Sequence, residues 1–160
     1  MLRKNKKKVF FATTNIEEYW SREHPIIFAG HWCLSNKDDF KKFQSNTIPY
    51  QWSDAKKVIE AQIYCEEVFE KILINITDEL NKFFSLKHSS IYYRVLLGNW
   101  LIHYIHQCYD KYCCIKKAKE DFDIFTYYIG KNKSEDSIPY DFKEFISSSL
   151  NPEYQVQLFS

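Results

Sequence analysis

The sequence has little glycine, little proline and almost no net charge. Its 160 residues include only three glycines and four prolines. The glycines, Gly30, Gly98 and Gly130, lie too far apart to form a G-x-G-x-x-G turn or a P-loop. Nucleotide binding through a glycine-rich phosphate loop is therefore excluded within these residues. Twenty-two basic and 21 acidic residues leave a net charge of +1, which argues against nucleic-acid binding driven by the neutralisation of phosphates.

A signal segment and long apolar runs are also absent. The N-terminus carries no apolar signal segment, and no uninterrupted apolar run reaches about 18 residues. The five cysteines are an odd number, and Cys113 and Cys114 are adjacent, so on a helix their side chains would diverge by about 100°. No disulfide framework is predicted. We expect a reduced, cytoplasmic protein without a transmembrane segment.

Core-forming residues are plentiful. Aromatic residues make up 18% of the chain, and the length suits one domain that buries about two thirds of its unfolded surface. We therefore predict a single domain over residues 1–160. Residues 1–7, which include most of the run Arg3 to Lys8, are predicted to be a disordered, solvated basic lead. A weak attraction to an anionic membrane surface is the less favoured alternative.

Two short apolar runs near the N-terminus predict buried strands. The first covers residues 8–13 and is followed by Thr14-x-x-Glu17, which has the form of a capping box. It predicts a helix or helical turn that begins at Thr14 and carries residues 17–20. The second covers residues 24–30, and His31 to Cys33 follow it on a predicted loop. Ligands of open α/β sheets bind at the carboxyl ends of the strands. The two strand ends are therefore expected to face one crevice.

Helical periodicity dominates the middle of the chain. Apolar residues at steps of three and four predict an amphipathic helix over residues 53–84. A central helix, with Ser89 or Ser90 as N-cap, is predicted to run to about Ala118 and to be surrounded by protein. Residues 122–128 are β-prone, and two short helices are predicted at 142–150 and from Pro152. The fold class is helix-rich α/β, with a short, mostly parallel sheet packed against two long antiparallel helices.

Five polar residues and one tryptophan are the candidate site residues. Glu17, Glu18 and His31 follow the two strand ends and are suited to act as general bases. Of these, Glu17 and His31 are the catalytic candidates, although a capping role also explains Glu17. Thr13 and Thr14 lie at the first strand end. Arg94 requires an anionic partner, and an internal carboxylate is favoured over a substrate anion. Trp100 offers a flat face for a sugar, but core packing is the commoner use.

Two other groups were considered and disfavoured. His103, His106 and Cys108 carry atoms that can bind a metal, but no second cluster of ligands is found, so these histidines are assigned to the core or an interface and no metal site is predicted. Cys33 has no neighbouring base except His31, so nucleophilic cysteine catalysis is disfavoured. Gly98 inside the central helix predicts the close approach of another backbone or a ligand.

Four blocks of the sequence stand out: FATTNIEEYW at 11–20, IFAGHWC at 27–33, IPYQW at 48–52 and YYRVLLGNWL at 92–101. In content and order they resemble the N-terminal part of transferases found in O-antigen and surface-polysaccharide gene clusters. Together they span most of positions 9 to 110. The resemblance implies a glycosyltransferase-like enzyme with two Rossmann-like halves, whose nucleotide-sugar half lies further downstream.

The resemblance carries further expectations. The chain would be the incomplete, acceptor-side half of such a fold and unable to complete a transfer alone. No cofactor is expected for this half. A nucleotide-sugar donor is expected for the full-length family. The expected partners are a glycan or glycolipid acceptor and a donor-binding domain on a continued or separate chain. Peripheral attachment of the protein to the inner membrane is a further expectation. The alternative is a small helical interaction module that binds a partner protein through the apolar stripe of the 53–84 helix or through the C-terminus.

Overall fold

A computed structural model describes residues 8–34, 46–127 and 139–159. The predicted lead at 1–7 therefore lies outside the described residues. The chain divides into two compact units, one formed by residues 1–50 and 111–160 and the other by residues 51–110. The prediction of a single domain stays a prediction. The strands are β1 (Lys8–Ala12), β2 (Ile26–Phe28) and β3 (Asp123–Tyr127), and the helices are α1 (Ala55–Phe84), α2 (Ser90–Asp121), α3 (Phe142–Ser148) and α4 (Pro152–Leu158).

The first unit contains a three-stranded parallel sheet with the strand order β2-β1-β3. In this register Ala12 lies opposite Phe28, and Phe11 lies opposite Tyr127. The central strand β1 is buried from Val9 to Ala12, which explains its continuous apolar sequence. Ala118, near the end of α2, packs into the same core. The predicted helix-rich α/β class is confirmed.

The helical turn predicted after β1 is present, but the predicted capping box is wrong. The chain forms only one 3-10 turn, Glu17–Tyr19, whose N-cap is Ile16 and whose cap makes no side-chain hydrogen bond. The Thr14 hydroxyl instead accepts a hydrogen bond from the Ile16 N–H at 3.3 Å. The predicted loop at residues 31–33 is also a 3-10 turn, His31–Cys33. Both connections are compact, and neither carries a full helix.

The second unit contains the helical hairpin of α1 and the first part of α2. Asp54 caps α1 by accepting a hydrogen bond from the Lys56 N–H at 2.9 Å. The helix ends at Ser85, whose φ of 55° is left-handed. The two helices run antiparallel, as predicted, and share a core made of Cys65, Phe69 and Leu73 from α1 and Tyr93, Leu101 and Ile105 from α2.

The prediction that the central helix is surrounded by protein is wrong over its N-terminal turns. Ile91, Val95 and Leu96 are 71%, 84% and 62% exposed. In the second unit α2 packs one face against α1, and the hairpin leaves its opposite face uncovered. At Gly98 the predicted close approach of another backbone is wrong, because the nearest atoms to a Cβ placed there belong to the side chains of Phe69 and Arg94, both at 3.5 Å. The ligand alternative stays a prediction.

The two predicted C-terminal helices are present and belong to the first unit. Asp141 caps α3 and Asn151 caps α4, with Pro152 in the first turn of α4. Beyond α4, the Phe159 ring lies edge-on to Phe11 with centroids 6.0 Å apart. Within the described ranges, no helix is both long and apolar enough to cross a membrane.

Candidate functional site

The segments that follow β1 and β2 meet at the carboxyl edge of the sheet. The Ala12 carbonyl oxygen accepts a hydrogen bond from the Ala29 N–H at 2.8 Å. The same oxygen accepts from the Cys33 thiol at 3.4 Å. Because β1 and β2 are adjacent and parallel, their carboxyl ends lie side by side. Residues 13–17 and 29–33 therefore leave the sheet from one edge, which is where open α/β sheets bind ligands.

Thr13 and Thr14 form a buried part of this edge. They are 3% and 2% exposed. The Thr14 hydroxyl donates to the Pro152 carbonyl oxygen at 3.4 Å, and the Trp20 indole N–H donates to the Thr14 carbonyl oxygen at 2.8 Å. A second link to the C-terminal segment is the hydrogen bond from the Tyr19 hydroxyl to Glu153 at 3.1 Å. The hydroxyl of Thr14 thus ties the first strand end to the start of α4.

Glu17 and His31 are exposed polar residues that follow the two strand ends. Each is the first residue of its 3-10 turn. Access to solvent allows both side chains to exchange protons, which a general base must do. The structure therefore places the two candidate bases in the two segments that leave this edge.

Lys111 is a buried cation in the first unit that the sequence reasoning missed. It is 6% exposed, and its ammonium nitrogen lies 3.8 Å from the centroid of the Trp32 ring and 5.7 Å from that of Phe159. Lys111, Cys114 and Ala118 are all buried and follow at steps of three and four on α2. This helical period could have revealed the burial of Lys111 from the sequence, because it places Lys111 on the buried face of the helix.

Gly30 makes room for the Trp32 ring. A Cβ at Gly30 would overlap the six-membered part of that indole. The φ of Gly30 is −177°, which is ordinary extended backbone, so space and not conformation requires the glycine. Gly30 therefore permits the ring placement that brings Trp32 next to Lys111.

Cys33 is unsuited to nucleophilic catalysis. Burial raises the pKa of its thiol to about 12, and the backbone hydrogen bonds of Gly30 and Ala29 together with the charge of Lys111 offset only part of that rise. The thiolate is the reactive form of cysteine. At neutral pH Cys33 is a thiol that donates to the Ala12 carbonyl, in agreement with the sequence interpretation.

Arg94 and Trp100 belong to the second unit. Arg94 forms an ion pair with Glu70, and its guanidinium carbon lies 5.1 Å from the centroid of the Phe69 ring. The hydrogen bond between Arg94 and Glu70 raises the pKa of Arg94 and lowers that of Glu70. The favoured prediction of an internal carboxylate partner is confirmed. Trp100 packs against the helical core and stacks on Tyr104, with centroids 5.4 Å apart.

The six candidate residues therefore fall into two sets. Thr13, Thr14, Glu17 and His31 belong to the first unit, and Arg94 and Trp100 to the second. The structure shows contacts that join the segments carrying the first set at one sheet edge. Their joint use with the second set stays a prediction.

The histidines of α2 show no metal centre. No group of three His, Cys, Asp or Glu side chains is placed to hold a metal ion in the part of the chain that the structure describes. Burial, and to a smaller degree the neighbouring His103, lowers the pKa of His106. A lowered pKa favours the neutral imidazole at physiological pH.

Comparison with known proteins identifies one family. Residues 9–160 match the profile of a family described as LIC12162 family transferase. The match includes both strand ends, both long helices and the C-terminal helices. Searches of curated proteins and of solved structures found no match.

Proposed function

This chain belongs to the LIC12162 family of transferases, and from that premise we propose that it serves the transfer of a sugar in the synthesis of a bacterial surface polysaccharide of the O-antigen type. Its part in the reaction is to hold the acceptor, a glycan or glycolipid. The activated sugar is a nucleotide-sugar that a separate donor-binding domain supplies. The supporting observation is the joining of the segments after β1 and β2 at the carboxyl edge of the sheet.

The proposed chemistry is nucleophilic substitution at the anomeric carbon of the donor. A hydroxyl oxygen of the acceptor forms a bond to that carbon, while the bond from the carbon to the nucleotide phosphate breaks and the phosphate leaves with the electron pair. The acceptor hydroxyl loses its proton, and Glu17 or His31 accepts it. Both residues are exposed and stand at the start of the turns after the strands.

The remaining candidate residues have binding roles in this proposal. Thr13 and Thr14 form the floor beneath the acceptor, and Trp100 offers a face to a sugar ring. Arg94 holds an anionic group of the substrate. Its ion pair with Glu70 is about half exposed, and an exposed pair contributes little to stability, so a substrate phosphate or carboxylate can replace Glu70 as its partner.

The experiment compares surface glycans in the cells that carry the gene. Deleting the gene should remove or shorten the polysaccharide, and restoring the wild-type gene should recover it. Of the variants Glu17→Gln and His31→Gln, the one that removes the true base should lower transfer by about 10²- to 10⁴-fold. Glu23→Gln, which removes an exposed carboxylate between β1 and β2, is the matched control and should restore the glycan fully.

Two results would contradict the proposal. One is an unchanged surface polysaccharide after deletion of the gene. The other is full recovery with a double variant that lacks both Glu17 and His31. The level of each variant in the cells must match that of the wild type, because a poorly folded variant would imitate a catalytic defect.

The alternative function, a helical interaction module, loses one of its two proposed surfaces. In that alternative the apolar stripe of α1 binds a partner protein. Its central residues Cys65 and Phe69 are instead buried against α2. At the C-terminus, Val156 and Phe159 pack within the first unit. If the chain were an interaction module, it would bind a stable protein partner, and deletion of the gene would leave the surface glycan unchanged.

A further inference from the structure

The helical hairpin of the second unit is free of acidic residues over a long stretch. All 21 aspartates and glutamates of the chain lie outside residues 80–109. Within that stretch, Lys82, Lys87 and Arg94 are basic. We define the hairpin tip as residues 82–96, which comprise the end of α1, the connection and the first two turns of α2. The tip is therefore cationic, whereas the chain as a whole is close to neutral.

The same tip exposes large apolar side chains. Phe83 at the end of α1 is 79% exposed and Val95 on α2 is 84% exposed. Scattered exposed apolar residues need no explanation, but a contiguous group marks a surface that binds something apolar. The exposed large apolar residues of the tip are Phe83, Phe84, Leu86, Ile91, Tyr92, Val95 and Leu96.

Hydrogen bonds from Asn81, the residue just before the tip, hold the tip in this form. The Asn81 amide donates to the His88 carbonyl oxygen at 2.8 Å and accepts from the His88 N–H at 2.9 Å. The Tyr93 hydroxyl also donates to Asn81, at 3.1 Å. The left-handed Ser85 ends α1, and the Leu86 N–H returns to the Asn81 carbonyl at 2.8 Å. The connection is therefore fixed in place, and the apolar side chains beside it stay exposed.

We propose that the hairpin tip docks on the surface of an anionic lipid bilayer. The apolar side chains enter the boundary between headgroups and acyl chains, and Lys82 and Lys87 lie among the lipid phosphates. The uniform charge argues against a second copy bound tip to tip, because that contact would place lysines against lysines. A bilayer supplies both the apolar phase and the negative charge that this tip lacks.

This inference does not depend on the candidate residues of the first unit, and although the tip includes Arg94, none of the tip variants below changes that residue. It depends only on residues of the second unit, and it holds whether or not the first unit accepts a sugar. Failure of the vesicle experiment below would leave the glycan experiment untouched, and the reverse is also true.

The charge contribution is tested by flotation of the full chain with lipid vesicles. The chain should float with vesicles that contain phosphatidylglycerol and far less with pure phosphatidylcholine, and added salt should release it. Lys82→Gln with Lys87→Gln should lower the partition coefficient by about fivefold for each lysine. The matched control is Lys56→Gln with Lys57→Gln, two exposed lysines in the first turn of the same helix, which should bind like the wild type.

The apolar contribution is tested with Phe83→Ser and Ile91→Ser. Both side chains are mostly exposed, so circular dichroism should show an intact fold, while flotation should be lost. Leu150→Ser, which changes a residue that is 84% exposed in the first unit, should leave flotation unchanged. Three results would overturn the proposal. They are equal binding to neutral and anionic vesicles, no binding to either, and a dimer of the chain that only the tip variants dissociate.

Discussion

Gly30 and Gly98 have very different surroundings, although both are buried. At Gly30 a Cβ would overlap the Trp32 ring, whereas at Gly98 a Cβ would make only ordinary contacts with Phe69 and Arg94. We therefore predict opposite effects of alanine. Gly30→Ala should lower the free energy of unfolding by about 1–3 kcal/mol through overpacking. Gly98→Ala should raise it by up to about 1 kcal/mol, because alanine is the better helix former.

Urea unfolding of the two variants checks this prediction. The wild type and both variants should share one slope with denaturant, so that the midpoints report stability directly. A Gly30→Ala variant as stable as the wild type would mean that the Trp32 ring does not occupy the place described here. A destabilised Gly98→Ala variant would mean that the helices approach more closely at this point than the structure shows.

The ion pair of Arg94 and Glu70 predicts a pH dependence. Its hydrogen bond lowers the pKa of Glu70, so the stabilisation is present above the ordinary pKa of a glutamate, about 4.3, and is lost as the pH falls through the folded-state value. Glu70→Gln should therefore be slightly less stable than the wild type at pH 7 and equally stable at strongly acidic pH. The difference should be small, since the pair is solvent-exposed.

Urea midpoints measured from pH 7 to pH 2 test this expectation. Glu67→Gln is the control, because Glu67 is exposed on the same helix and the described part of the chain shows no ion pair for it. A difference for Glu70→Gln that grows as the pH falls would contradict the sign derived from the lowered pKa.

At the residue scale, the sequence predicted the kind of partner that a side chain needs, but not which distant residue supplies it. An anionic partner for Arg94 followed from the cost of an unpaired charge, but its identity as Glu70 depends on how two helices align. The Thr14-x-x-Glu17 motif failed because the Thr14 hydroxyl donates to Pro152, 138 residues later in the chain. No local pattern reports such a contact.

At the scale of elements, one side chain secures the turn of the hairpin. Asn81 makes two hydrogen bonds to the backbone of His88 and accepts a third from Tyr93. Asn81→Ala should lower the free energy of unfolding by about 1–3 kcal/mol, because the groups that it pairs lose their partner. Thermal unfolding followed by circular dichroism measures the effect.

Asn75→Ala is the matched control for that prediction. Asn75 is exposed in the interior of the same helix, so alanine there should be neutral or slightly stabilising. Equal stability of the two variants would show that the turn does not depend on Asn81.

Periodicity and composition predicted the elements well. The strands, the two long helices and the two short C-terminal helices all occur close to the predicted residues. The burial of the central helix was not predictable in the same way. An apolar residue indicates a preference for burial, but it does not show whether the chain supplies a covering partner. Ile91 and Val95 are apolar and exposed, and this exposure carries the proposal of a lipid-binding tip.

At the scale of the whole molecule, the sheet edge and the helical hairpin belong to separate compact units. Residues 13–17 and 29–33 define the edge in the first unit, and α1 makes up half of the second. The adjacency of the two strand ends was predictable from two short buried runs with short connections. The grouping of the chain into units was not, because α2 is one continuous helix that contributes to both.

The central claim is that the carboxyl edge of β1 and β2 receives the glycan acceptor. Hydrogen exchange of the backbone amides tests acceptor binding most directly. It is measured with and without oligosaccharide released from the surface polysaccharide of the cells that carry the gene. We predict slower exchange at residues 13–20 and 29–34 when the oligosaccharide is bound. Protection confined to residues 51–110, or none anywhere at saturating oligosaccharide, would contradict the claim.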